Sequence, residues 1–185
     1  MTKIFLKKIN DFNNQEIDLT HLNTKRKAYL EKLSFNMQKV SYYSWLLLKE
    51  KVIEEYNLDI DTLELSYNEN NKPLFKEFNF NISHSKNYIA VGLSNNEIGV
   101  DIQVIENKSL ANLAKKLNIE ESDNETLYLY FSAIEAKGKK EGSGILPSSI
   151  TKENIKVSKQ LIINDNLDKY VLSIDCEDSE IDIVY

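Results

Sequence analysis

The segment Asn79-Phe-Asn-Ile-Ser-His-Ser85, followed by Gly99-Val-Asp-Ile-Gln103, is the most informative part of the chain. The first part ends in two hydroxyls and an imidazole, which can bind a phosphate or a metal-bound ligand. The second places Asp101 in an apolar strand, where a carboxylate is costly unless it is paired or binds a metal. From the residues alone, a metal ligand and a salt-bridged structural aspartate remain equally open. His84 taken alone is more often a packing or surface histidine.

A second polar cluster lies in the segment 124–140, which we predict to be a helix. Glu135 and Lys139 are four positions apart and therefore share one face of that helix. They could form a surface ion pair, or they could be a metal-binding carboxylate beside a phosphate-binding ammonium. The spacing by itself favours the ion pair.

The pattern of apolar residues and turn residues predicts an α+β fold. We expect helices over 23–56, with a break near 34–36, over 109–117 and over 124–140, where Gly142 and Gly144 end the last helix with Pro147 beyond. We expect strands over 3–9, 63–67, 78–82, 88–94 and 98–105, and strand-like segments between 155 and 184. The residues Asn95-Asn96 predict a hairpin turn between two of these strands.

The chain contains a weak internal repeat. The segment 88–94 with 97–102 resembles the segment 170–176 with 180–184, and each pair reads as two strands of which the second opens with a carboxylate. Two related α+β halves, residues 1–97 and 98–185, would explain this repeat. Chance similarity between two amphipathic hairpins is the competing explanation.

Composition limits the classes of function. The chain has 185 residues, of which 42% are hydrophobic and 28% charged, as in ordinary globular proteins. The net charge of −6 argues against broad nucleic-acid binding, although residues 25–27 and 137–140 form local basic clusters. A single cysteine, Cys176, favours a reducing cytoplasm, and no apolar run approaches the roughly 20 residues that cross a bilayer. We therefore expect a cytoplasmic protein that binds no membrane.

Taken in order, the polar segments resemble one known family. Asn71-Lys-Pro73, residues 79–85, Gly99-Val-Asp-Ile102 and Glu135-Ala-x-x-Lys139-x-x-Gly142 follow one another at sensible spacing. This set is similar to the 4'-phosphopantetheinyl transferases, in their long, pseudo-dimeric, surfactin-synthetase-activating branch. The resemblance implies two related α+β halves that form an intramolecular pseudo-dimer, with the active site in the cleft between them. It also implies a monomer.

The resemblance further implies an activity. A protein of this family transfers the 4'-phosphopantetheine group of coenzyme A to a serine of an apo acyl or peptidyl carrier protein, and it depends on Mg²⁺. The side chains that would hold Mg²⁺ are Asp101, Gln103 and Glu135. Those that would contact coenzyme A are Lys25, Ser41, Lys72, Ser83, His84 and Lys139, of which the first two are not anchored by a motif. The residues expected to act in catalysis are Glu135, which would also take the serine proton, with Asp101, His84 and Lys139.

Several positions depart from the family pattern. Gln103 stands where a glutamate is usual, so it brings no negative charge to a metal, and Ile134 replaces a lysine beside Glu135. Phe131 replaces a tryptophan, and Val40 stands where an arginine often contacts phosphate, next to Lys39. These departures keep a second hypothesis open, a catalytically weakened relative that binds coenzyme A or a carrier protein. An unrelated α+β interaction domain is a third.

Overall fold

A computed structural model of the chain describes residues 1–9, 16–107, 111–116, 123–143, 155–166 and 168–185. These residues form a mixed α+β structure, which confirms the expected class. The elements of the first part of the chain are β1 (Thr2–Lys8), α1 (Thr24–Leu30), α2 (Phe35–Tyr56), β2 (Ser66–Tyr67), β3 (Pro73–Leu74), β4 (Asn79–Ser85) and β5 (Tyr88–Ser94). Those of the second part are β6 (Ile98–Val104), α3 (Ala111–Lys116), α4 (Asn124–Glu141), β7 (Lys159–Asn164), β8 (Lys169–Cys176) and β9 (Ile181–Val184).

The strands form two main sheets with related strand orders. The first sheet has the order β4-β5-β1-β9 and the second the order β6-β8-β7, while β2 and β3 form a small separate ribbon. In each main sheet, the first strand is followed by a long helix and then by two antiparallel strands. The last of these three strands lies between the other two. β9 has no counterpart in this repeated order. It belongs to the second part of the chain but pairs in parallel with β1 of the first sheet.

The predicted hairpin between residues 88–94 and 98–105 is wrong. β5 is paired on both edges, with β4 and with β1, so it has no edge left for β6. The turn at Asn95-Asn96 instead carries the chain from the first sheet to the second, where β6 pairs with β8. The turn after β8 carries it back, so the second repeat is not a hairpin either.

Three apolar interfaces hold the layers together. α2 packs on one face of the first sheet around Trp45, Phe75, Phe78 and Phe80. The other face of that sheet packs on the second sheet, in a core of aliphatic side chains that includes Ile4, Ile102 and Leu172. α4 covers the far face of the second sheet. The order of the layers is therefore helix, sheet, sheet, helix.

The ends of the helices follow local capping chemistry. Asp123 accepts a hydrogen bond from the backbone of Thr126 at 2.8 Å and so begins α4. Gly142 adopts a left-handed φ of 65° and ends it, as predicted, whereas residues 144 and 147 lie outside the described ranges. The break between α1 and α2 is confirmed at residues 31–34. The predicted strand over 63–67 is reduced to Ser66–Tyr67.

None of the helices within the described ranges is long and apolar enough to cross a bilayer. The helix predicted over 109–117 is found at Ala111–Lys116, and the rest of its range lies outside the described residues.

Candidate active site

The free edge of β6 is held by side chains of β4. The backbone N–H of Val100 donates to Asn81 Oδ1 at 3.0 Å, that of Ile102 to Ser83 Oγ at 3.1 Å and that of Val104 to Ser85 Oγ at 2.8 Å. Asn81, Ser83 and Ser85 alternate along β4 and therefore point to the same side. We call this contact the β4–β6 junction. It joins the two main sheets through hydrogen bonds that the backbone N–H groups of β6 donate to side-chain oxygens of β4.

Asp101 is at the centre of this junction. Its carboxylate belongs to a residue only 1% exposed, and it is paired as a buried charge requires. Oδ1 accepts hydrogen bonds from Lys139 Nζ at 2.7 Å and from Ser83 Oγ at 3.0 Å. Oδ2 accepts one from Gln103 Nε2 at 3.0 Å. The two sequence clusters therefore meet, although they are far apart along the chain.

α4 reaches Asp101 because β6 allows a very close approach. A Cβ atom on Gly99 would lie 1.8 Å from the carbonyl oxygen of Ala136, so only glycine fits there. Ser132, fully buried, donates its hydroxyl to the Asp101 carbonyl at 3.2 Å. These contacts fix the height and rotation of the helix turn that carries Glu135 and Lys139.

Glu135 is half-buried, and its Oε1 atom is buried without a hydrogen-bond partner in the described structure. Burial raises the pKa of this carboxyl, and the neighbouring Asp101 charge raises it further, while Lys139 lowers it. An unpartnered carboxylate oxygen beside a second carboxylate is an acceptor for a cation or a proton.

His84 lies on β4 between the two serines of the junction and is half-buried. Burial lowers the pKa of its imidazole, and the Lys139 charge lowers it further, against an opposing effect of Asp101. The imidazole is therefore near both members of the ion pair and favours its neutral form.

Lys72 and its loop hold the other end of α4. The Lys72 ammonium donates to the carbonyls of Lys139 at 2.7 Å and of Lys140 at 3.0 Å, and Asn70 donates to that of Gly142 at 2.6 Å. Burial lowers the pKa of Lys72. A cavity of about 200 Å³ opens beside this loop and is lined by Pro73, Ile82 and Lys139 among others. Lys72 is thus a helix cap that also borders a cavity next to the site.

Lys25 and Ser41 lie apart from this group, in the helices of the first part. Lys25 donates to the Leu65 carbonyl at 2.9 Å, and Ser41 Oγ accepts a bond from Arg26 at 2.6 Å. Arg26 is 5% exposed, and its guanidinium lies 4.4 Å from the ring centre of Trp45. Burial lowers the pKa of this guanidinium. The basic cluster 25–27 is therefore only in part a solvated surface.

The departures from the family pattern have structural correlates. Ile134 is fully buried, so a lysine there would lose its hydration without a partner. Gln103 turns its amide nitrogen to Asp101 and acts as a donor to that carboxylate. Lys39 is buried, with its ammonium 4.8 Å from the ring centre of Phe35. Nothing in the structure explains the exchange at Phe131.

Asn81 and Ser132 were not predicted to be site residues, and Ser85 was predicted only as a hydroxyl that could bind a phosphate or a metal-bound ligand, not as a partner of the β6 backbone. Asn81 and Ser85 carried a usable signal, because polar side chains at every second position of a strand indicate one polar side. Ser132 carried no such signal, since its partner is set by helix packing.

The residues present fit a divalent metal. Hard oxygen donors from Asp101 and Glu135 suit Mg²⁺, which is often bound by one or two carboxylates together with substrate phosphates. The Lys139 ammonium already lies among three oxygens as a stand-in cation, and Glu135 Oε1 has no donor. Across the described ranges, no group of three or more His, Cys, Asp or Glu side chains is arranged around a metal position. A metal here would need ligands from a substrate.

No protein-family model matches the chain, and no curated protein matches it significantly.

Proposed function

We propose that this protein transfers the 4'-phosphopantetheine group of coenzyme A to a serine of an apo carrier protein. The observation that carries the proposal is the convergence of Asp101, Glu135, Lys139 and His84 at the β4–β6 junction. A hydrogen bond joins Lys139 to Asp101, and charge interactions relate Glu135 and His84 to that pair, although more than 30 positions separate residues 84 and 101 from residues 135 and 139. The resemblance of the motifs to the family predicts the same group.

The fold supports this proposal through its internal duplication. Both main sheets follow the same order of strand, helix, strand and strand, which is what two related halves of a pseudo-dimer require. Tyr88 and Tyr170 occupy equivalent positions in the internal repeat, and their ring centres lie 4.6 Å apart. The proposed site then lies in the cleft between residues 1–97 and 98–185.

The reaction assigns a task to each side chain. The serine Oγ forms a bond to the phosphorus next to the pantetheine arm, and the bond from that phosphorus to the bridging oxygen breaks. Adenosine 3',5'-bisphosphate leaves with the electron pair. Glu135 takes the serine proton, and its raised pKa suits a base that works near neutral pH.

The remaining residues bind and orient the coenzyme. Lys139 and Lys72 supply ammonium groups for its phosphates, and His84 supplies an uncharged donor. The Ser83 hydroxyl would turn from Asp101, to which it donates in the ligand-free protein, towards a phosphate. Asp101 and Glu135 are the residues that would hold Mg²⁺, with Gln103 beside them. When bound, Mg²⁺ would neutralise the charge that develops on the pyrophosphate.

A second candidate is a weakened relative that binds coenzyme A or a carrier protein without efficient transfer. Gln103 favours it, because an amide that donates to Asp101 adds no negative charge for a metal. Both candidates share the binding site and differ in turnover.

The test is to incubate the purified protein with coenzyme A, Mg²⁺ and several apo carrier proteins, and then to weigh the carriers by mass spectrometry. We expect at least one carrier to gain one phosphopantetheine group. Glu135→Gln should slow transfer by about 100-fold or more, the usual contribution of a general base. Glu141→Gln is the matched control, because Glu141 is exposed at the end of the same helix.

If no carrier is modified but calorimetry shows that coenzyme A binds, the protein is a coenzyme A-binding protein and not a transferase. Equal rates for Glu135→Gln and Glu141→Gln would contradict the role of Glu135. If the protein neither transfers phosphopantetheine nor binds coenzyme A, only the third hypothesis remains, an α+β interaction domain.

A further inference from the structure

The Lys139 ammonium occupies a position suited to a small cation. Its Nζ atom lies 2.7 Å from Asp101 Oδ1, 2.9 Å from Ser83 Oγ and 3.2 Å from the Val100 carbonyl oxygen. One ligand is an anionic oxygen and two are neutral oxygens, a set that a divalent ion would also accept. Ser83 comes from β4 and the other two from β6, so the position is built by both sheets.

The two carboxylates differ in how far they are already engaged. Both oxygens of Asp101 accept hydrogen bonds, Oδ1 from Lys139 and Ser83 and Oδ2 from Gln103. Glu135 Oε1 has no partner in the described structure. A metal ion that takes the position of the ammonium, among Asp101 Oδ1, Ser83 Oγ and the Val100 carbonyl oxygen, must therefore displace Lys139 from Asp101.

We infer that Lys139 competes with the divalent metal for Asp101 in the ligand-free protein, so that metal and coenzyme A bind cooperatively. The pyrophosphate of coenzyme A offers the ammonium other anionic oxygens, and Asp101 is then free for the metal. Each ligand consequently increases the affinity for the other by the same factor. This inference rests on the proposed function for the identity of the second ligand.

Mn²⁺ is the probe for the experiment, because free Mn²⁺ is measured directly by electron paramagnetic resonance. Without coenzyme A, we expect Lys139→Gln to bind Mn²⁺ about tenfold or more tightly than the wild type, within the usual range of coupling between sites. Lys140→Gln removes the same charge from the same helix, but Lys140 pairs with Asp175 at 3.7 Å and not with Asp101. Its Mn²⁺ affinity should stay near that of the wild type.

The wild type provides a test that needs no variant. Coenzyme A should tighten Mn²⁺ binding by about tenfold or more, and the gain should be smaller in Lys139→Gln. Far-ultraviolet circular dichroism and thermal melts check that the variants are folded.

Two results would contradict the inference. Equal Mn²⁺ affinities for Lys139→Gln and Lys140→Gln would reduce the role of Lys139 to general electrostatics. Tight Mn²⁺ binding by the wild type without coenzyme A, unchanged when it is added, would exclude competition. If phosphopantetheine is transferred although one of these two Mn²⁺ results is found, the proposed function stands and only the inference fails. If the Mn²⁺ affinities are as expected but no phosphopantetheine is transferred, only the proposed function fails.

Discussion

Asp101, with its buried carboxylate, is the residue on which the site depends. A carboxylate that is 1% exposed loses nearly all its hydration, and this cost is offset only by a partner with good geometry. Lys139 supplies the charge at 2.7 Å, and Ser83 and Gln103 supply neutral donors. The buried pair gives position rather than stability, since its attraction and the desolvation cost are of similar size. A lysine at Ile134 would add a cation with no such partner.

At the same scale, His84 should make stability depend on pH. Its folded-state pKa lies below the ordinary value of 6.5 because of burial and the Lys139 charge, so the unfolded chain binds the proton more readily. Stability is therefore present above that ordinary pKa and is lost as the pH falls through it. Urea unfolding between about pH 7.5 and 5.5 should show a smaller loss for His84→Asn than for the wild type. Parallel losses in the two proteins would contradict the assignment.

Among the elements, β4 and α4 do most to assemble the site. β4 pairs with β5 through its backbone and with β6 through its side chains, so it connects the two sheets. α4 is fixed in the middle by the close approach at Gly99 and at its end by Lys72. The site residues are positioned by these two elements before any ligand binds.

Ser83→Ala tests the β4–β6 junction. The change removes the acceptor of the Ile102 N–H and leaves that buried group unpaired, which should cost about 2 kcal/mol of unfolding free energy. Amide hydrogen exchange at Ile102 should become faster. Ser66→Ala is the control, because Ser66 is exposed with one long bond to the Leu74 carbonyl at 3.3 Å, and its effect should stay below about 0.5 kcal/mol. Similar effects of the two changes would show that the junction hydrogen bonds contribute little.

For the whole molecule, the two halves depend on each other. The core between the sheets takes Ile4 and Leu6 from the first half and Ile102 and Leu172 from the second. β9 crosses to the first sheet, and Asp178 in the turn before it accepts hydrogen bonds from Asn96 at 2.9 Å and Thr2 at 2.7 Å. Separation of the two halves would expose this apolar core and the backbone N–H groups of β6 that β4 now binds.

We therefore expect residues 1–97 and residues 98–185, expressed separately, to remain unfolded or to aggregate. The intact chain should unfold in one cooperative transition, as small domains with a shared core do. Circular dichroism and two-dimensional NMR of each fragment provide the measurement. A dispersed spectrum and a cooperative melt from either fragment alone would show that the halves are independent domains.

Much of the secondary structure and the identity of the polar clusters could be predicted. The segment 88–94 forms a strand over that range, and the helix predicted over 124–140 extends by a single residue. The hairpin at Asn95-Asn96 could not be judged from its sequence, because the same turn can connect strands of one sheet or of two. The role of Asn81 as a partner of the Val100 N–H was missed for a similar reason, since its partner is 19 positions away.

The sequence by itself determined the type and approximate position of most helices and strands, because capping, turns and apolar periodicity act over a few neighbouring residues. It also supplied the residues Asp101, Glu135 and Lys139. Only the tertiary structure decided which strand edges meet and that Lys139, 38 positions from Asp101, holds its carboxylate. The physical reason is that such contacts depend on the close packing of layers, which Gly99 permits and the core between the two sheets fixes.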